Sequence, residues 1–153
     1  MNEDGIISVK KLMSDEEIIN ECRNALSAID SPLLLSNGFR KVDIEMIRKG
    51  YRVLPPSFMK SLVERAIRIS REIKVIETHP TSSAKNLGLN WREFTNIKDE
   101  FDAVLCVLAA FSYHIGIAQK VEAEDGEIYL VPKDFDYKIK KLNNERYILI
   151  KKS

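Results

Sequence analysis

The chain has 153 residues, enough for one domain with a sizeable core. Its composition, 44% hydrophobic and 31% charged with only 6 Gly and 5 Pro, is that of an ordinary globular protein and excludes a disordered or collagen-like chain. Lys and Arg number 24 against 23 Asp and Glu, so the net charge of +1 exerts no global pull on polyanions or membranes, and any such attraction must be local.

Gly5 to Leu12 reads as an extended strand, and Ser14 followed by Glu17 makes the capping box that opens a helix. Ile18, Ile19, Cys22 and Ala25 then recur at helical spacing, and the LSAID run ending at Asp30 resumes as a short buried strand, so a βαβ unit is expected. Val42 to Ile47 predicts a short helix that Gly50 ends. After Pro55-Pro56, Ser57 is expected to cap a longer helix with Phe58, Met59, Leu62, Ala66, Ile69 and Ile73 on its apolar face. KVIE, ending at Glu77, predicts the next strand. Thr81 to Leu87 predicts a brief helix closed by Gly88, and Lys98 to about Ser112 a helix apolar almost all round. Asp125-Gly126 marks a turn before EIYLV, and Tyr147 to Ile150 predicts a terminal strand. This alternation argues for a single α/β domain over residues 1–153, with a mixed sheet and helices packed on its faces.

Cys22 and Cys106 have no Cys or His at metal-ligand spacing, which argues against zinc and for small core residues in a reducing compartment. The longest apolar run, Phe101 to Phe111 broken by Asp102, is too short to span a membrane, and the MNEDG start lacks the features of a leader. A cytoplasmic protein without membrane partners is the expectation.

Two strands end alike, with an apolar run, an acid and then a proline: AIDSP around Asp30 and VIETHP around Glu77. Ligands of open α/β sheets bind outside the carboxyl ends of the strands, so parallel neighbours would aim both acids at one crevice. Asp99 and Asp102, three apart at the start of the apolar helix, share a face and supply a third acidic contribution. Carboxylates gathered in a partly desolvated cleft repel one another, and a hard divalent cation such as Mg2+ or Mn2+ relieves that repulsion while activating water for phosphodiester hydrolysis. The structural alternative stays open: acids commonly close strands in turns, and Asp99 and Asp102 suit the positive end of a helix dipole.

Arg40 to Lys74 holds ten Lys and Arg against four acids, a local charge of +6 that leaves −5 for the remainder. With Phe39 and Tyr51 interleaved, this segment reads either as a phosphate-contacting surface or as a solvated helix face. Arg40 and Lys41 stand out because a short Gly-containing loop separates them from Asp30. His79, two residues past Glu77, is a candidate to orient a carboxylate or contact phosphate, whereas His114 and Trp91 are explained by packing.

The ordered motifs AIDSPL (Ala28 to Leu33), GFRKVD (Gly38 to Asp43), VIETHPT (Val75 to Thr81) with LGL (Leu87 to Leu89), and DEFDAVLCVLAA (Asp99 to Ala110) resemble those of the predicted nucleases known as domain of unknown function 429. The similarity runs from about Gly5 to Pro132 and leaves residues 133–153 as an extra C-terminal segment with a strand. It implies a ribonuclease H-like fold, a mixed five-stranded sheet flanked by helices, and a metal-dependent nuclease binding Mg2+ or Mn2+. By resemblance, Asp30, Glu77 and Asp102 are the catalytic metal ligands, with Asp99 assisting, and Arg40 holds the substrate phosphate; the residue pattern itself adds Lys41 and His79 as further substrate contacts.

Members of that family open with a strand bearing a first aspartate, whereas this chain starts at what resembles a later strand, so the N-terminal hairpin is missing. Its loss removes a ligand and leaves a strand edge unpaired. Either the start lies elsewhere, or the terminal YILIK run fills part of the vacancy, or another chain pairs across the edge as a homodimer. Three functions are in play: a nuclease acting on nucleic-acid phosphodiesters by water attack; a catalytically inactive relative that binds nucleic acid or protein; and, more weakly, a small-molecule hydrolase using the same acids.

Overall fold

A computed structural model, describing residues 1–153, divides the strands between two sheets. Strand β1 (Ile6–Ser8) leads to helix α1 (Asp15–Cys22), strand β2 (Ser27–Ile29), helices α2 (Lys41–Arg48) and α3 (Lys60–Ser70), and strand β3 (Val75–Glu77). Helix α4 (Pro80–Leu87) and the long helix α5 (Lys98–His114) follow, and strands β4 (Gln119–Ala123), β5 (Gly126–Leu130), β6 (Tyr137–Asn143) and β7 (Arg146–Lys151) close the chain. One sheet is mixed, in the order β2-β3-β5-β4, with β2, β3 and β5 parallel and β4 antiparallel to β5. The other, β1-β7-β6, is wholly antiparallel. The α/β class with a mixed sheet flanked by helices holds.

Local chemistry sets most element ends where the sequence places them. The Ser14 hydroxyl accepts the Glu17 amide at 3.2 Å, and the Glu17 carboxylate reaches back to the Met13 amide at 3.1 Å, so the first turn of α1 is closed from both sides. Gly88, at φ 66°, ends α4 in the left-handed conformation that a side chain disfavours. The Ser57 expectation fails: Pro56–Met59 forms a single 3-10 turn, α3 starts only at Lys60, and the Ser57 hydroxyl turns to the Asn37 carbonyl at 3.5 Å. The buried face of α3 is accordingly Val63, Ala66 and Ile69, while Phe58 and Leu62 point to solvent.

Helix α5 explains why there are two sheets. A helix apolar on nearly every side must be covered on more than one face. Phe101, Leu105 and Leu108 pack with Ile7, Phe135, Ile139 and Tyr147 of the antiparallel sheet and its approach. Ala28 of β2 joins the margin of the same cluster. A second core, Val42, Met46 and Tyr51 against Val121, Ile128 and Leu130, seats α2 on β4 and β5.

This arrangement overturns the βαβ reading of the N-terminus. Strand β1 pairs with β7, Ile7 opposite Tyr147, rather than entering the sheet of β2. The YILIK run is the middle strand of the antiparallel sheet and fills no vacancy beside β2, which stays an edge strand with β3 as its sole partner. An apolar groove of about 660 Å³ runs along that edge, with half-buried Cys22 and Cys106 in its walls. No helix is long and apolar enough to cross a membrane.

Candidate functional site

Strands β2 and β3 are parallel neighbours in the register Ala28↔Ile76 and Ile29↔Glu77, and the Thr78 amide extends the pairing to the Ile29 carbonyl at 3.0 Å. Asp30 therefore falls beside Thr78, at the carboxyl end of the sheet as expected. The pleat sends successive side chains to opposite faces, so Asp30 and Glu77, one register step apart, diverge. Asp30 joins α5, and Glu77 joins α2.

On the α5 side, Asp30 shares its surroundings with Asp102, Asp99 and Lys98. Its tip is open to solvent, but the protein behind it strips water from the carboxyl; this desolvation, followed by the like charges of Asp102, Asp99 and Glu77 against the countercharge of Lys98, pushes its pKa up to about 6. Helix α5 begins at Lys98, which puts Asp99 and Asp102 in its first turns, as the spacing requires. Asp102 is held by the Lys98 ammonium at 2.8 Å, and Asp99 is exposed.

On the other side lies a buried ion triad. Arg40 is 3% exposed, and its guanidinium donates to both oxygens of Glu77, at 2.8 and 2.6 Å, and to both oxygens of Asp43, at 3.0 and 2.8 Å. Asp43 also accepts the Arg40 amide at 2.9 Å, closing the first turn of α2. Burial alone would lower the Arg40 pKa, but the hydrogen bonds it donates to Glu77 and Asp43 outweigh it and hold Arg40 protonated above its ordinary range. Burial is the larger influence on Glu77 and raises its carboxyl against the pull of Arg40. Glu77 also accepts the Leu33 amide at 3.1 Å, which pins the loop that leaves Asp30.

Three expected roles change in consequence. Glu77, expected as a metal ligand, has both oxygens engaged by Arg40. Arg40, expected to hold phosphate, is buried at 3% exposure with four of its five guanidinium donors committed to Asp43 and Glu77. Lys41 lies on the far side of the α2 start, where its amide donates to Asp125 at 2.7 Å and its ammonium to Glu124 at 2.6 Å. The GFRKVD motif carries no signal that separates a structural arginine from a substrate arginine; only the burial of the Asp43 and Glu77 partners does.

Asp30, Arg52, Leu54, Met59, His79 and Thr81 line one cleft of about 340 Å³, with the ion triad at its base. His79 places Nδ1 2.5 Å from the Ser82 hydroxyl, and burial lowers its pKa despite the opposing charge of Asp102. Arg52 is exposed, lines the cleft and has no carboxylate partner within ion-pair distance. It sits in the basic segment of the sequence, but nothing in the sequence distinguished it from its neighbours.

No three His, Cys, Asp or Glu side chains come together closely enough to hold a metal ion among themselves. Asp102 is near enough to disfavour the ionisation of Asp30, and magnesium is an ion commonly bound through one or two carboxylates completed by substrate phosphate and water. The side chains present do not cage a cation by themselves, since Asp102 is already paired with Lys98; a cation held at Asp30 would need substrate and water to complete its shell. No family model, curated protein or solved structure matches this chain.

Proposed function

We propose that the protein is a metal-dependent nuclease in which Asp30 and Asp102 hold Mg2+ or Mn2+ together with the substrate phosphodiester, assisted by Asp99. The observation that carries this reading is the Asp30 carboxylate at the carboxyl end of β2, lining an open cleft, with Asp102 and Asp99 of α5 near enough to disfavour its ionisation. A bound ion would neutralise that repulsion, lower the pKa of a water and stabilise the leaving oxygen. The chain's own groups prepare the site. Asp30 lines the cleft as its acid, Arg52 meets phosphate charge at the mouth, and half-buried His79, its pKa lowered by burial, sits beside Ser82. Arg40 and Glu77 act as positioning residues: through the Leu33 amide they fix the loop that carries Asp30.

A specific observation favours the non-catalytic alternative, a nucleic-acid-binding module on the same scaffold: Lys98 already neutralises Asp102, and Glu77 is committed to Arg40. Calorimetric titration with Mn2+, paired with hydrolysis of a labelled oligonucleotide, separates the two. Saturable Mn2+ binding that is lost in Asp30→Asn, with hydrolysis lost alongside, is the expected result. A wild-type chain that binds no Mn2+ and cleaves nothing overturns the nuclease reading in favour of the module.

A further inference from the structure

The outer wall of the cleft is unusually apolar for a surface. Phe58 is 74% exposed, and Leu54 and Leu62, which line the cleft with Met59, are about half exposed. Pro55 and Pro56 stiffen the approach to the 3-10 turn that carries Phe58. The bond from the Ser57 hydroxyl to the Asn37 carbonyl brings the loop bearing Phe39 alongside, and Phe39 is also exposed. Two exposed phenyl rings, each next in sequence to a residue of the cleft lining, Met59 and Arg40, thus lie beside a cleft that holds the Asp30 carboxylate and one unpartnered guanidinium.

Charge argues against a duplex as the occupant. Duplex binding draws its affinity from many phosphate contacts, and cations near this mouth are few. Arg52 is free, Lys60 lies 3.9 Å from Glu64, and Arg65 and Arg68 farther along α3 are tied to Asp15. Where cations are few, stacking must supply the affinity. Unpaired bases offer faces to an aromatic ring that bases stacked within a duplex do not.

We propose that this cleft selects single-stranded nucleic acid, with bases stacked on Phe58 and Phe39 and the backbone met by Arg52. This rests on the nuclease reading and names its substrate class. The test is fluorescence anisotropy of a labelled oligothymidine and of a hairpin duplex of equal length, both in EDTA, so that metal binding plays no part. The single strand is expected to bind more tightly. Phe58→Ala should weaken it roughly tenfold without lowering the melting temperature, with Phe58→Trp restoring it. Arg52→Ala should reduce the salt-dependence slope by about 0.7. Equal binding of the two probes, no binding of either, or an unchanged affinity in Phe58→Ala overturns the proposal. So does self-association that Phe58→Ala abolishes without any oligonucleotide binding, which would assign the face to a second copy. The Mn2+ titration is read separately: Mn2+ binding without strand preference sinks only this inference, and strand preference without Mn2+ binding sinks only the nuclease.

Discussion

Asp30 is the residue at which site chemistry and stability meet. Its folded pKa of about 6 stands above the unfolded value of about 3.9, so the folded state binds the extra proton between those limits and stability falls as pH rises through that window. Asp30→Asn removes this penalty. The variant should gain about 1 kcal/mol at about pH 7, less than the full shift implies because the carboxyl faces solvent, and the gain should shrink toward nothing near pH 4. His79 acts with the opposite sign: burial depresses its pKa, so its contribution is lost as pH falls below the unfolded value of about 6.5. Comparing urea unfolding of wild type and variant at each pH isolates the Asp30 component, and a difference that does not vary with pH would count against the repulsion described.

At the scale of elements, the Arg40 triad fastens the start of α2 to the end of β3. Its partners are so well desolvated that removing the cation leaves two carboxylates buried without a counterion. Arg40→Met should therefore cost about 3 kcal/mol or more, and Arg40→Lys about 2 kcal/mol, since an ammonium cannot bridge two carboxylates in the same fork geometry. Chemical denaturation of both variants reads these losses. If Arg40→Met is as stable as wild type, the triad does not hold α2 and β3 together. The element boundaries were largely legible: the Ser14 and Glu17 spacing, the Gly88 stop, the Asp125-Gly126 turn and the α5 periodicity are all local signals, and each marks a feature of the structure. Ser57 misled because its hydroxyl found a carbonyl twenty residues away in sequence, a competitor no local pattern discloses.

At the scale of the molecule, residues 133–153 are not an appendage to the segment that precedes them. Phe135, Ile139 and Tyr147 lie in one cluster with Phe101, Leu105 and Leu108 of α5, and β7 is the partner of β1. The Tyr147 hydroxyl further donates to Glu100 on α5 at 2.7 Å. Each large side chain withdrawn from such a core costs about 2 kcal/mol, and three of them approach the whole stability of an ordinary domain. Truncation after Pro132 should therefore abolish cooperative thermal unfolding and expose dye-binding apolar surface. A truncated chain that melts sharply would show instead that the antiparallel sheet is dispensable.

What the sequence determined by itself is what short-range chemistry controls: the α/β class, most helices and strands with many of their ends, and the placement of Asp99 and Asp102 together in the first turns of α5. What only the tertiary structure decided depends on which surfaces meet. The pleat parted Asp30 from Glu77, and burial turned Arg40 from a candidate phosphate ligand into an internal counterion. The need to cover α5 on two sides drew the N- and C-terminal strands into a sheet of their own. Side-chain direction and strand partnership are settled by contacts between distant segments, and a carboxylate or guanidinium carries no local mark of the partner that burial will give it.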